Sequence, residues 1–418
     1  VPVEAALGSS IRPANLLAYP YLSLAERDRR WALMREAIDQ AGFDGVILPP
    51  NDPSLPTLHG DMRWLTHLGG VPGATVAALF PRQGEPIAIA QDASQWRECQ
   101  PWLTEIREAA GLFGAALRRV LRAQRLRRGR IGVARLLPDP WCNGGGPSYA
   151  LMSELHASFP FFEWIDFSRQ LDELRLVKSA EEVAFLEHST AILERAFRRT
   201  AEAIVPGALG CDLWGSLVEA ICGGGSDLPP PPRWAAGRSP ARLTRYPERE
   251  AIESGWLLLA DAEAAWGGYR ARAAQPFACD RPDADAQMLM TALAESWDAS
   301  VTTLRPGVPV RQAVSEITGM LEGSADIAWD ISLRGCGPGG DPPRRLAGQI
   351  SPQDLDRQIA PGWCLAFVLT AMRKGRRLIW GDTVAIRTSG PRRLGSRIPQ
   401  VLTGGAAGGS LRRSDGGR

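Results

Sequence analysis

Apolar residues recur at helical spacing over 24–42, LAERDRRWALMREAIDQAG, where Leu24, Trp31, Met34 and Ile38 share one face and Gly42 supplies the stop. The run Asp44-Gly-Val-Ile-Leu then changes the period to that of a short buried strand. Two more strands are predicted at 74–80 and 86–90, separated by the turn Arg82-Gln-Gly-Glu. A helix around 111–127 and a strand from Ile131 continue the alternation, so residues 1–165 are expected to form a three-layer α/β domain.

A boundary is predicted near 166–178. Ser179 is placed as an N-cap with Glu182 three residues on, opening an amphipathic helix over 179–204. A second helix, 211–223, runs into Gly223-Gly-Gly-Ser-Asp-Leu-Pro-Pro-Pro-Pro, which breaks any regular element. Strand-like runs follow at Trp256–Ala260, Gly268–Arg272, Leu365–Leu369 and Asp382–Ile386, with helices over 284–303 and after Val308. These make residues 166–400 a second domain, and residues 401–418, which lack an apolar pattern, are expected to be a disordered tail.

Composition narrows the function classes. The net charge of +2 argues against a polyanionic partner such as duplex DNA. Seven Arg lie between Arg118 and Arg130, but Leu117, Leu121 and Leu126 mark that stretch as the solvated face of a packed helix. No apolar run approaches the roughly 20 residues of a membrane span, and no signal-peptide pattern opens the chain. The seven Cys form no CxxC pair and suit reduced thiols, so a cytoplasmic protein is expected. The four His (His59, His67, His156 and His188) all precede residue 190, leaving the C-terminal half without imidazole.

The order of short phrases resembles the creatinase, prolidase and Xaa-Pro aminopeptidase superfamily. Phe43-Asp-Gly-Val-Ile-Leu and Asp61-Met-Arg-Trp-Leu-Thr are similar to its N-terminal domain, and Arg175-Leu-Val-Lys-Ser-Ala-Glu-Glu to the phrase that opens its second domain. Ile204-Val-Pro-Gly, Gly237-Arg-Ser-Pro-Ala, Gly255–Asp261, Gly268-Tyr-Arg-Ala-Arg272, Gly335-Cys-Gly, Pro361–Val368 and Trp380-Gly-Asp-Thr-Val follow in the family's order. The resemblance implies an α/β creatinase-like N-terminal domain, an α+β pita-bread C-terminal domain and a homodimer. It also implies two metal ions held by two Asp, one His and two Glu. Those five places read Asp261, Arg272, Cys336, Val368 and Gly381. The family's catalytic His, implied within 241–246, is replaced by Thr244 or Arg245. Two divalent ions about 3.5–4 Å apart need several carboxylates to offset their charge, so no metal and no other cofactor is expected here.

Several residues remain as candidates for chemistry. Asp261 and Glu263 alternate on a predicted strand and share one face, either as an acid/base couple or with Asp261 tied to Arg272 in a structural ion pair. Arg272, Arg238, Arg242 and Arg245 would clamp a carboxylate or phosphate if the fold gathers them, or lie scattered on the surface. Cys336 is a candidate nucleophile with Arg334 as its activator, or a buried inert thiol. His67 and its neighbour His59 would contribute across a dimer interface, or serve in the core. Trp234 and other motif-flanking Trp would line an apolar pocket, or fill the core. The expected function is that of a metal-free, repurposed homologue acting on a small anionic molecule, with tailoring chemistry in secondary metabolism as the expected setting. A non-catalytic binding or scaffold protein and a metallopeptidase with an atypical site are the alternatives.

Overall fold

The computed structural model describes residues 20–50, 60–69, 75–126, 128–137, 146–240, 242–323, 326–346 and 349–404. The first domain runs α1 (Leu24–Ala41), β1 (Gly45–Leu48), α2 (Gly60–Thr66), β2 (Val76–Pro81), β3 (Ile87–Ala90), α3 (Ala93–Cys99), β4 (Ile106–Glu108), α4 (Phe113–Ala123), β5 (Gly129–Val133), α5 (Tyr149–Ser158), β6 (Phe162–Asp166) and α6 (Ser168–Leu176). Its six strands form one sheet in the order β4-β3-β2-β1-β5-β6, with β2 antiparallel to both neighbours and the remaining pairs parallel. The basic stretch behaves as its pattern predicts: α4 buries Leu117, Val120 and Leu121 against the sheet and turns Arg118 outward to Glu154.

The second domain continues with α7 (Ala180–Ala203), α8 (Gly210–Gly223), β7 (Arg233–Gly237), β8 (Leu257–Trp266), β9 (Tyr269–Ala278), α9 (Ala284–Val301), α10 (Val310–Glu322), β10 (Ala328–Gly335), β11 (Arg345–Leu346), β12 (Gln349–Ile350), α11 (Pro352–Leu355), β13 (Cys364–Arg373), β14 (Arg376–Arg387), β15 (Gly390–Arg393) and β16 (Leu402–Thr403). Ser179 and Glu182 form the reciprocal capping box that starts α7. The main sheet runs β10-β13-β14-β9-β8-β7. One of its faces packs on α7 and α8 through Leu258, Ala260, Ala262, Ala271 and Phe277, and the other packs on α9 and α10 through Leu257, Leu259 and Ala274. Leu402 and Thr403 pair in parallel with Phe277 and Ala278, so the expected tail begins only after a last sheet contact. Residues 405–418 lie outside the described residues.

Buried ions hold the two domains together. Arg30 of α1 is fully buried, with Nε donating to Glu26 at 2.7 Å and Nη1 to the Trp64 carbonyl at 2.8 Å. Its Nη2 donates to the Tyr269 hydroxyl at 2.7 Å, and that hydroxyl donates to Glu182 at 2.8 Å. In a second network Arg135 grips Asp61 and Asp172, Arg344 reaches Asp172 at 2.6 Å, and Lys178 reaches Asp341 at 2.6 Å. Charges taken this far from water need the full set of partners seen here. Among the described residues, no helix is long and apolar enough to cross a membrane.

Candidate functional site

Strand register gathers the candidate site. In the β8–β9 hairpin Glu263 stands opposite Arg272 and Asp261 opposite Ala274, so Asp261, Glu263 and Arg272 project from one face. Gly381 of β14 also faces Ala274, Val368 of β13 faces Gly381, and Ser332 of β10 faces Val368. Cys336 follows directly after β10. The positions singled out from the motif phrases therefore lie in one patch across five adjacent strands.

Asp261 is occupied on both oxygens. Arg272 donates from Nε to Oδ1 at 2.7 Å and from Nη2 to Oδ2 at 2.6 Å, a two-pronged geometry, while its Nη1 donates to Ser332 Oγ at 2.9 Å. Arg233 stands opposite Asp261 on β7 and donates from Nε to Oδ2 at 2.9 Å. Burial opposes ionisation of Asp261, but the Arg272 and Arg233 guanidiniums outweigh it and hold the carboxyl well below the usual carboxylate range. Such a group accepts protons poorly at neutral pH. Glu263 pairs with Arg334 instead, and both are partly exposed.

The residues at these places do not fit a pair of divalent ions. Arg272, Val368 and Gly381 offer no metal-ligating side-chain atom, and the two oxygens of Asp261 already serve guanidiniums. Among the described residues no group of three or more His, Cys, Asp or Glu is placed to hold an ion. Gly381 also leaves no room for a carboxylate: an added Cβ would meet the Phe367 carbonyl and Val368 Cγ2, each at 2.5 Å.

Cys336 is buried, and its backbone N–H donates to the Cys364 carbonyl at 2.8 Å. Burial pushes its thiol up, with the Arg334 charge pulling only partly the other way. That environment favours the inert thiol over the nucleophile.

The remaining candidates separate. Arg245 is exposed but close enough for its charge to bear on Arg334, as does that of Arg233. Arg242 is exposed, and Arg238, 75% exposed, pairs with Glu253 beyond the end of β7. Neither reaches Asp261. Trp234 is fully buried on the opposite face of the sheet, against α7 and α8, because it neighbours Arg233 on a strand whose side chains alternate. Trp363 and Trp380 fill the core between the sheet and α9–α10. His67 sits at the domain junction: its Nε2 accepts the Leu22 N–H at 3.1 Å and its ring meets Trp102 edge-on at 4.5 Å. Burial, then the Arg63 and Arg30 charges, press its pKa well below normal, so it is neutral. His59 lies outside the described residues.

One functional side chain, Arg233, and one pairing, that of Arg334 with Glu263, escape sequence reasoning. Arg233 directly precedes the chosen Trp234, and only the register against β8 shows that it, not Trp234, faces Asp261. The Arg334–Glu263 pair joins residues 71 apart in sequence. Together Arg233, Arg245, Arg272 and Arg334 face two carboxylates, which leaves the mouth of the patch positive.

Residues 184–386 match the model described as Metallopeptidase family M24. A probable dipeptidase PepE of Mycobacterium tuberculosis is 27% identical over 144 residues, which span 34% of this chain and 38% of that protein's length. Among solved structures, an Xaa-Pro dipeptidase from Bacillus anthracis superposes with a TM-score of 0.71 at 16% identity, covering 90% of this chain and 99% of the other. The N-terminal domain of FACT complex subunit SPT16 from chickpea, Cicer arietinum, gives 0.66 at 15% identity, covering 90% of this chain and 98% of the other. These likenesses establish the two-domain creatinase-like, pita-bread fold.

Proposed function

Since its M24 domain places the chain in the creatinase and prolidase superfamily, we propose that it is a metal-independent pseudopeptidase that binds a small anionic molecule in the pita-bread cleft without hydrolysing it. The observation that carries this reading is the double capture of Asp261 by Arg272 and Arg233. The one inherited carboxylate is thereby removed from both metal binding and proton transfer. The raised Cys336 thiol supports the same reading, because Cys336 does not offer the thiolate that would stand in for the missing chemistry. At the mouth, Arg233, 47% exposed on its side chain, and Arg334, 36% exposed, present donors suited to a carboxylate or phosphate. One protein of the same fold is a domain of a complex subunit, which fits a pita-bread protein that works by binding. The homodimer and the cytoplasmic setting expected from sequence belong to this proposal.

A repurposed enzyme is the second reading, and Glu263 favours it. Its carboxylate is partly exposed, pairs with a single arginine and lies on the Asp261 face. It would be the acid/base group of any reaction in this cleft.

Calorimetric titration of the full chain with citrate and with inorganic phosphate tests the proposal. Binding of either, weakened at least about tenfold by Arg334→Ala, is the expected result. Failure of both anions to bind, or binding indifferent to Arg334, would overturn it.

A further inference from the structure

β10 (Ala328–Gly335) ends the main sheet on one side and pairs with β13. The direction of its backbone groups is set near its C-terminal end. Cys336 donates its N–H to the Cys364 carbonyl at 2.8 Å, on the β13 side, and Gly335 donates to the Pro343 carbonyl at 3.0 Å, on the other. Strand N–H groups alternate in direction, so those of Trp329, Ile331 and Leu333 leave on the Gly335 side. Pro343 begins a second pairing there, but the chain then diverges, and Arg345–Leu346 pairs with Gln349–Ile350 instead. Among the described residues no backbone carbonyl accepts the N–H of Trp329 or Ile331.

The diverging chain leaves a groove of about 550 Å³ along this open edge. Trp329 and Ile331 form its wall on β10, Val314 and Leu321 of α10 its floor, and Ile350 and Leu355 its far side. All but Leu321 are half-buried apolar residues packed against the main core, so the groove is the margin of that core brought to the surface. Asp330 is engaged across the groove by Arg345 at 2.7 Å. One end is acidic: Glu322, exposed and lining the groove, is the last residue of α10, where the helix dipole adds negative charge. Asp326, 79% exposed, follows it and stands 3.6 Å from Arg373.

Donors two residues apart on a strand repeat at about 6.6 Å. Such a row beside an apolar floor matches the backbone and alternate side chains of an extended peptide, a repeat that a compact small molecule does not offer. The acidic end matches a basic residue. We propose that this groove takes an extended peptide segment with alternate apolar residues and a lysine or arginine at one end, added as a further strand on β10. Trp329 and Ile331 alternate with Ser332 and Arg334, whose side chains reach Arg272 and Glu263, so the groove lies on the other face of the strand from the cleft. The proposal does not rest on the pseudopeptidase reading.

Fluorescence anisotropy of labelled Lys-Val-Thr-Val-Thr-Val-Lys with the full chain tests this; lysine at both ends presents one to Glu322 in either strand direction. Saturable binding is expected, weaker for a peptide with glutamates in place of both lysines. Two N-methylated versions, one at the valines and one at the threonines, are expected to differ. The set whose N–H groups face β10 should lose at least about tenfold, and the other should bind as the parent does. Ile331→Pro removes an outward N–H without touching the bonds to β13, and should weaken the parent peptide about tenfold. Thr318→Trp fills the groove from the exposed face of α10 and should abolish binding; it carries the test should Ile331→Pro not fold. Arg334→Ala should leave peptide binding in place, and its loss there would assign the peptide to the cleft. No saturable binding, equal binding of the two methylated peptides, or undiminished binding by Thr318→Trp would overturn the groove. A dimer of the unliganded chain that Ile331→Pro dissolves would assign the edge to a second copy and overturn the peptide reading.

Discussion

Val368 Cγ2 stands 2.5 Å from the point where a Cβ on Gly381 would be, and the two residues are direct partners across β13 and β14. Packing has closed this pair of positions, so a ligand cannot be restored at one without disturbing the other. Gly381→Ala is expected to destabilise the fold by about 1–3 kcal/mol, the usual result of overpacking. Urea unfolding at constant slope would measure it, and Val368→Ala in the same chain should recover part of the loss.

Arg272 is expected to be needed for stability rather than chemistry. Arg272→Ala leaves Asp261 with Arg233 alone, and breaking a buried pair from one side costs about 3–5 kcal/mol. The partner that remains should hold the loss to the lower end. Replacing both residues, Asp261→Leu with Arg272→Leu, should recover most of it, and a double-mutant cycle by urea unfolding would read the coupling.

The pH dependence of stability follows from Asp261 and Asp172. Burial opposes ionisation of both, and both are nevertheless held below the usual carboxylate range, chiefly by Arg272 and Arg135 respectively. A carboxyl depressed in the folded state contributes stability that is fully present above its unfolded pKa of about 3.9 and is lost as pH falls toward the folded value. Stability should therefore be flat through neutral pH on this account and fall steeply below about pH 4. Asp261→Asn should flatten that acid limb, which unfolding midpoints between pH 2 and 7 would show.

Thiol reactivity should follow burial. Cys336 is buried with its thiol pushed up, and burial drives Cys364 up to about 12. Cys211 is half-buried at the start of α8. Brief alkylation of the native protein with iodoacetamide, followed by peptide mass spectrometry, should label Cys211 at least about ten times faster than either buried thiol.

Much of the fold was legible because its signals are local. The capping box at Ser179 and Glu182 starts α7 where the pattern placed it, and the resemblance of the Gly268–Arg272 phrase to the family's implied that Arg272 shares a site with Asp261, where the two pair. The clamp on Asp261 was legible only by half. Arg233 enters through the register of β7 on β8, and a slip of one residue along β7 selects Trp234, which faces the core. The junction between domains was not legible at all. Its pairs, Lys178 with Asp341 and Arg30 with Tyr269, join residues 163 and 239 apart in sequence, and no periodicity records such contacts.

On this reading the cleft binds its ligand without hydrolysing it and without metal. The most direct test incubates the purified chain with Xaa-Pro dipeptides and added manganese, cobalt or zinc, and follows release of free proline. No release above the protein-free control, with every metal, is the expected result. Release that rises with metal and disappears in Asp261→Ala would contradict the account.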